Sequence, residues 1–286
     1  MTIDPKHRRA VAGAAIFVAV AAVAAVAYSS RNGADQWQSR SSTTVNLPPP
    51  ANDRIYAAPT ARGRPIVVID AGHGGRDPGA TGVSGEIKEK DLTLALARQL
   101  RDTLVQRGRV RVAMTRDDDH YVSLDDRAAV ARRLNAAMFV SLHMDSAANP
   151  LARGASVYSL SDVASDAEAA ALAARENGGA EVSDGGGSVQ AMLSDLAMRS
   201  QMNESADLAA RLVNKSAGRF ELRPEAHRFA AFHVLRRANT PAVLFESGYL
   251  SNADDELLLR SPEHRATIVL ALAQAIEADV ASRSRH

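Results

Sequence analysis

Ile66-Val67-Val68-Ile69-Asp70-Ala71-Gly72-His73-Gly74-Gly75-Arg76-Asp77-Pro78-Gly79 joins a four-residue apolar, β-branched run to a turn in which four glycines surround one histidine. A short apolar run bounded by a turn signal fits a strand buried on both faces, as in sheets with helices above and below. The glycines let the backbone bend where a Cβ would clash, and they set the His73 imidazole just beyond the strand. A histidine in such a place usually bonds its own loop. It becomes a candidate ligand only if partners arrive from elsewhere in the chain.

Working outward, Leu92, Leu96, Leu100 and Leu104 recur every fourth residue and predict a helix over residues 89–107, closed by Gly108. Residues 110–114 (VRVAM) read as a second strand. Ser123, with Asp126 three residues on, reads as the N-cap of a helix reaching residue 135. Residues 138–142 (MFVSL) form a third strand that delivers His143 at its carboxyl end. Residues 154–160 alternate as a fourth strand, and 165–176 form an alanine-rich helix. A glycine-rich spacer, 177–188 (NGGAEVSDGGGS), precedes a long helical stretch over 189–217 with Met192, Leu196, Leu208 and Leu212 at apolar positions. Residues 232–235 and 242–245 read as the last two strands, the second ending at Glu246. Ser261-Pro262-Glu263 opens a final helix whose buried stripe is Ile268, Leu272 and Ile276. Strands alternating with helices predict an α/β fold: a single domain over residues 65–283, with a mainly parallel, about six-stranded sheet flanked by helices on both faces. Ligands bind such sheets beyond the carboxyl ends of strands. His73, His143 and Glu246 all fall on that edge.

A chain of 286 residues, 46% hydrophobic, can bury one substantial core with appendages. Lys6, Arg8 and Arg9 against Asp4 give the first 28 residues a charge of +2, which leaves the rest near −1 and excludes the basic footprint of a nucleic-acid binder. There is no cysteine, so any metal must be held by His, Asp or Glu. Residues 10–28 (AVAGAAIFVAVAAVAAVAY) are uncharged, follow the basic cluster and match roughly one bilayer crossing. That charge bias keeps the N-terminus in the cytoplasm and exports the remainder. Because Ala25-Val26-Ala27 resembles a small-residue cleavage site, residues 1–28 read as a signal anchor in the inner membrane or as a cleaved signal peptide. Either way the rest is expected outside the cytoplasm, in the periplasm. Residues 29–64, polar and containing Pro48-Pro49-Pro50, read as a flexible linker.

Two imidazoles and one carboxylate suffice for a catalytic zinc site that keeps a position open for water. Glu89 begins the helix after the His73 loop and Glu86 stands as near, so spacing alone does not separate them. A carboxylate that is not a ligand can take a proton from the attacking water and return it to a leaving amine; Glu246 is the candidate. His120, His227, His233 and His264 read as loop or helix-surface residues, and Arg116 and Arg127 as arginines that bond loop carbonyls.

The segments Asp70-Ala-Gly-His73-Gly-Gly-Arg-Asp-Pro-Gly79, Glu89-Lys90 with Leu94, Thr115-Arg116, Ser141-Leu-His143, Glu176-Asn177 and Glu246-Ser-Gly-Tyr-Leu-Ser-Asn252 together resemble the zinc-dependent N-acetylmuramoyl-L-alanine amidases of the Amidase_3 type. The resemblance implies that His73, Glu89 and His143 bind Zn2+, that Glu246 acts as general base and acid, and that the glycines leave a polymeric substrate room to approach. The implied reaction is hydrolysis of the amide between N-acetylmuramic acid and L-alanine in peptidoglycan, for cell-wall remodelling and daughter-cell separation. It also implies that residues 177–205 are an autoinhibitory insert relieved by a LytM-domain activator. The same ligands would serve another zinc amide hydrolase, a peptidase or deacetylase. A non-catalytic wall-binding or activator protein would have no use for Glu246.

Overall fold

Strand β2 (Ile66–Ala71) is buried along its whole length, and its residues divide by parity between two cores. Val67, Ile69 and Ala71 join one apolar cluster while Ile66 and Val68 join another, because alternate side chains of a strand leave on opposite faces. In the computed structural model, which describes residues 53–178 and 189–283 with the side chains of 189–194 excepted, β2 lies near the middle of one seven-stranded sheet.

The other strands are β1 (Ile55–Tyr56), β3 (Arg111–Met114), β4 (Met138–Asp145), β5 (Ala155–Leu160), β6 (Leu222–Ala230) and β7 (Ala242–Tyr249), in the spatial order β1-β3-β2-β4-β7-β5-β6. The helices are α1 (Glu89–Arg107), α2 (Leu124–Arg133), α3 (Ala167–Glu176), α4 (Val189–Ser216), α5 (His233–Arg237), α6 (Ala253–Arg260) and α7 (Pro262–Arg283). The first core packs α1, the carboxyl half of α4, α6 and α7 on one face of the sheet, and the second packs α2, α3 and α5 on the other.

The α/β class and the single sheet-centred domain agree with the sequence reading, as do the leucine stripe of α1 and its left-handed Gly108 stop. The Ser123 cap also forms, accepting from the Asp126 N–H at 3.2 Å. Three details differ. The sheet has seven strands and is mixed: β3, β2, β4 and β7 run parallel, but β5 pairs antiparallel with β7, and β1 antiparallel with β3. Residues 232–235, read as a strand, belong to the Phe232 cap and the short helix α5. The strand in that region is β6, an edge strand bonded to β5 alone. Residues 55–61, within the stretch read as linker, form β1 and a short 3-10 turn whose Ala61 is fully buried. Residues 1–28 and most of the glycine spacer lie outside the described residues. Among the described residues no helix is long and apolar enough to cross a membrane.

Parity also explains where polarity enters the core. On the face that carries the second cluster, β2 contributes Ile66, Val68 and then Asp70; β4 contributes Phe139 and then Ser141 and His143; β7 contributes Ala242, Leu244 and then Glu246. Toward the carboxyl ends of three adjacent strands, the apolar rows turn polar together.

Candidate metal centre

His143 and Glu246 are direct cross-strand partners on β4 and β7, so their side chains leave the same face from neighbouring strands roughly 5 Å apart. Both lie inside longer strands than the sequence suggests, not just beyond them. His73 follows β2 in a left-handed backbone conformation (φ 60°) that is uncommon for a residue with a side chain. Arginines hold it there. Arg127 donates to the His73 carbonyl at 2.6 Å and to that of Ala71 at 2.7 Å, while Arg116 donates to the carbonyls of Ala71 and Gly72 at 2.9 and 2.8 Å. Both therefore bond loop carbonyls, as their sequence context suggests. Arg127 is in turn paired at 2.7 Å with the buried Asp70, which also accepts from Thr115 and Ser141 at 2.6 Å each. Burial would raise the Asp70 pKa, but Arg127 and the two hydroxyls outweigh it and hold the carboxyl below its usual range.

The convergence is tight. Glu89 Oε1 lies 3.0 Å from His73 Nε2 and 3.0 Å from His143 Nδ1, and the two imidazoles meet edge to face with centroids 4.9 Å apart. Glu89 can stand there because it opens α1, where its other oxygen accepts the Ala80 N–H at 2.9 Å. Glu86, the alternative, is exposed and sits 3.5 Å from Arg260 instead. A further carboxylate, Glu176 at the end of α3, brings Oε2 to 3.5 Å from His73 Nε2 and 3.4 Å from His143 Nδ1. His73, His143 and Glu176 form a group whose ligand atoms all lie within 4.8 Å of one another.

The glycines serve this packing more than an approaching substrate. A Cβ on Gly72 would lie 2.4 Å from the His143 ring, and one on Gly79 would lie 2.6 Å from both the Glu89 carboxylate and the His73 ring. Those residues are glycine because the site's own side chains press against the loop.

Several observations fit a divalent cation. His73 Nε2 is buried without a hydrogen-bond partner, although Glu89 Oε1 is only 3.0 Å away, off the line of a bond. The opposite nitrogen, Nδ1, is fixed by Asp77 at 2.9 Å, and a carboxylate on the far nitrogen holds a ligating imidazole in its tautomer and orientation. Burial would lower the His73 pKa, but Glu89 and then Asp77 reverse this and push it up to about 10; the cluster draws positive charge. Two imidazole nitrogens with carboxylate oxygens suit zinc.

Glu246 is 1% exposed, and neither of its oxygens has a hydrogen-bond partner among the described residues. Burial first, then the charges of Asp145, Glu89 and Glu176, push its pKa well above the ordinary carboxylate range, with Arg175 opposing them. A cavity of about 690 Å³ opens over the cluster, walled by His73, Glu89, Tyr121, His143, Arg175 and Glu176. Among the described residues, the other four histidines, His120, His227, His233 and His264, do not line it. His227 bonds Ser159 on the β5–β6 edge, for instance, and His264 packs on Phe220. Sequence reading passed over Glu176 and Asp77 as site residues. Their signals were the Glu-Asn pair ending a helix and an aspartate four residues after His73.

The model for Amidase_3, described as N-acetylmuramoyl-L-alanine amidase, matches residues 67–278. N-acetylmuramoyl-L-alanine amidase AmiA of Escherichia coli K12 is 36% identical over 220 residues, which are 75% of this chain and 75% of that protein. N-acetylmuramoyl-L-alanine amidase AmiC of Neisseria meningitidis is 33% identical over 75% of this chain and 52% of its own. Among solved structures, the catalytic domain of CwlV, an amidase from Bacillus (Paenibacillus) polymyxa, superposes with a TM-score of 0.54 at 29% identity, covering 74% of this chain and 96% of that one. AmiC2 of Nostoc punctiforme gives 0.55 at 27% identity over 78% and 99%. With a converged His-His-Glu cluster inside the matched span, this chain belongs to the N-acetylmuramoyl-L-alanine amidase family of the Amidase_3 type, the hydrolases that cut peptidoglycan.

Proposed function

We propose that this protein is a zinc-dependent amidase that hydrolyses the bond between N-acetylmuramic acid and L-alanine, with His73, Glu89 and His143 holding the metal. The observation that carries the reading is the meeting of His73 Nε2 and His143 Nδ1 on a single carboxylate oxygen, each 3.0 Å from Glu89 Oε1. When bound, zinc would supply Lewis acidity toward the scissile carbonyl and the attacking water. The protein's own part is positional and protolytic. Asp77 keeps the proton on His73 Nδ1 and leaves Nε2 directed at the cluster. Glu246 takes a proton from the attacking water and gives it to the departing L-alanine nitrogen, a task that suits a carboxyl whose pKa is raised by burial. Replacing Glu246 by Gln is expected to lower turnover by about 10²–10⁴-fold while zinc content stays that of the wild type. Loss of zinc from that variant would make Glu246 a ligand and overturn the assignment.

Glu176 stands on the cavity wall against both imidazoles, 3.5 Å from His73 Nε2 and 3.4 Å from His143 Nδ1. Its position, at the head of the segment 177–205, supports reading that segment as autoinhibitory, with a LytM-domain activator as the partner that withdraws it. Export to the periplasm, with residues 1–28 as anchor or cleaved signal, and a role in daughter-cell separation complete the proposal.

A further inference from the structure

The guanidinium groups on the cavity wall are already engaged. Arg127 is bound to Asp70 and to loop carbonyls, and Arg175 to Asp145 and the Ser146 carbonyl. Arg76 differs. It is exposed, three residues beyond His73, and its guanidinium lies 4.2 Å from the centroid of the Tyr121 ring, which forms part of the cavity wall. Among the described residues no carboxylate pairs with it.

Its seat is rigid. Gly74 and Asp77 exchange two backbone hydrogen bonds at 2.9 and 3.1 Å around it. The Gly75 N–H donates to Asp119 at 2.7 Å, and Lys90 donates to the Gly75 carbonyl at 3.0 Å. A Cβ on Gly75, whose φ is 57°, would come within 2.6 Å of the Tyr121 nitrogen, so glycine there lets the loop lie against residue 121 and set Arg76 over the ring. A guanidinium held over a ring without a carboxylate partner keeps N–H donors free, and its forked donors match a planar carboxylate.

Resting on the amidase reading above, we propose that Arg76, held by Tyr121, is a carboxylate subsite that reads the free α-carboxylate of the D-glutamate following L-alanine in the stem peptide. The reach is right. The second residue of an extended peptide ends about 7 Å from the scissile bond, and the three residues from His73 to Arg76 span at most about 10 Å before the arginine side chain closes the remainder. The cavity wall carries Asp70, Asp77, Glu89 and Glu176, so an unpaired cation seated on Tyr121, itself part of that wall, is the place for an anionic chain to be received.

The test compares two synthetic N-acetylmuramyl peptides on the full-length protein, one with the D-glutamate α-carboxylate free and one with it amidated. Wild type is expected to favour the free acid by about three- to tenfold, mainly through KM, as for a partly solvated charge-assisted pair. Arg76→Gln should lose that preference, Arg76→Lys should retain part of it, and Tyr121→Leu should weaken it by releasing the guanidinium. Because Arg76 is exposed, an unchanged melting temperature checks that Arg76→Gln is folded. Equal hydrolysis of both peptides by wild type, or an Arg76→Gln variant that keeps the wild-type preference, would overturn the subsite and leave the amidase reading standing. Hydrolysis of neither peptide, by wild type or by a variant lacking residues 178–200, would overturn the amidase reading and the subsite with it.

Discussion

At the residue scale, the loop that carries His73 depends on a buried ion pair that does no chemistry itself. Asp70 is 1% exposed and receives Arg127 at 2.7 Å; Asp70→Asn would leave that guanidinium without its counter-charge, at a cost of about 3–5 kcal/mol. The pH dependence follows from the direction of the Asp70 shift. A carboxyl held below its unfolded value contributes stability above the ordinary aspartate pKa of about 3.9 and loses it as pH falls through the folded value. The stability gap between wild type and Asp70→Asn, followed by denaturant titration, should therefore be full near neutrality and narrow below about pH 4. A gap independent of pH would show that the Asp70 charge is not what matters. Such residues are the hardest to find in a sequence. His73, His143 and Glu246 stood out because each neighbours a recognisable apolar strand. Asp70 reads as one more residue of its strand, and Glu176 becomes part of the site only when α3 packs its end against His73.

At the scale of elements, α4 is two things in one helix. Its carboxyl half is built into the core through Leu208 and Leu212, both fully buried, whereas Leu196 is 61% exposed. Leu208→Ala is expected to cost about 2–5 kcal/mol, and Leu196→Ala less than about 0.5 kcal/mol, by thermal or denaturant unfolding. Comparable losses at both positions would mean that the amino half is also part of the core. Met198, Gln201 and Met202 still tie the helix to the second core, Gln201 through the Leu235 carbonyl at 2.9 Å, so the part left to regulate is the stretch before them, where residues 195–197 are exposed. Deleting 178–200, alone or with Glu176→Ala, should raise basal peptidoglycan hydrolysis, and unchanged hydrolysis in both variants would end the autoinhibitory reading. The periodic leucines marked α1 and α7 because a helix face buried along its length repeats one local signal. β6 (LRPEAHRFA) carried no such signal: it lies at the sheet edge, shows a polar surface to solvent and accommodates Pro224.

At the scale of the whole molecule, the parallel run β3-β2-β4-β7 puts His73, His143 and Glu246 on one edge, and that edge was legible because helix-linked strands imply it. The reversal of β5 was not legible. Strand direction depends on which partner a segment meets across the sheet, here β7, and local periodicity does not record that choice. The same limit hid Glu176, which comes to the two histidines from the end of α3, the first helix in the connection between β5 and β6. The central claim, that this edge is a zinc site for cutting the muramyl–L-alanine amide, is tested most directly by mass analysis of products. Purified peptidoglycan is incubated with the protein, and with its 178–200 deletion variant, in the presence and absence of a chelator. The account predicts free stem peptides that begin with L-alanine, lost when chelator is added and restored by zinc. Cuts between peptide residues, chelator-resistant release, or no soluble product from either protein would contradict it.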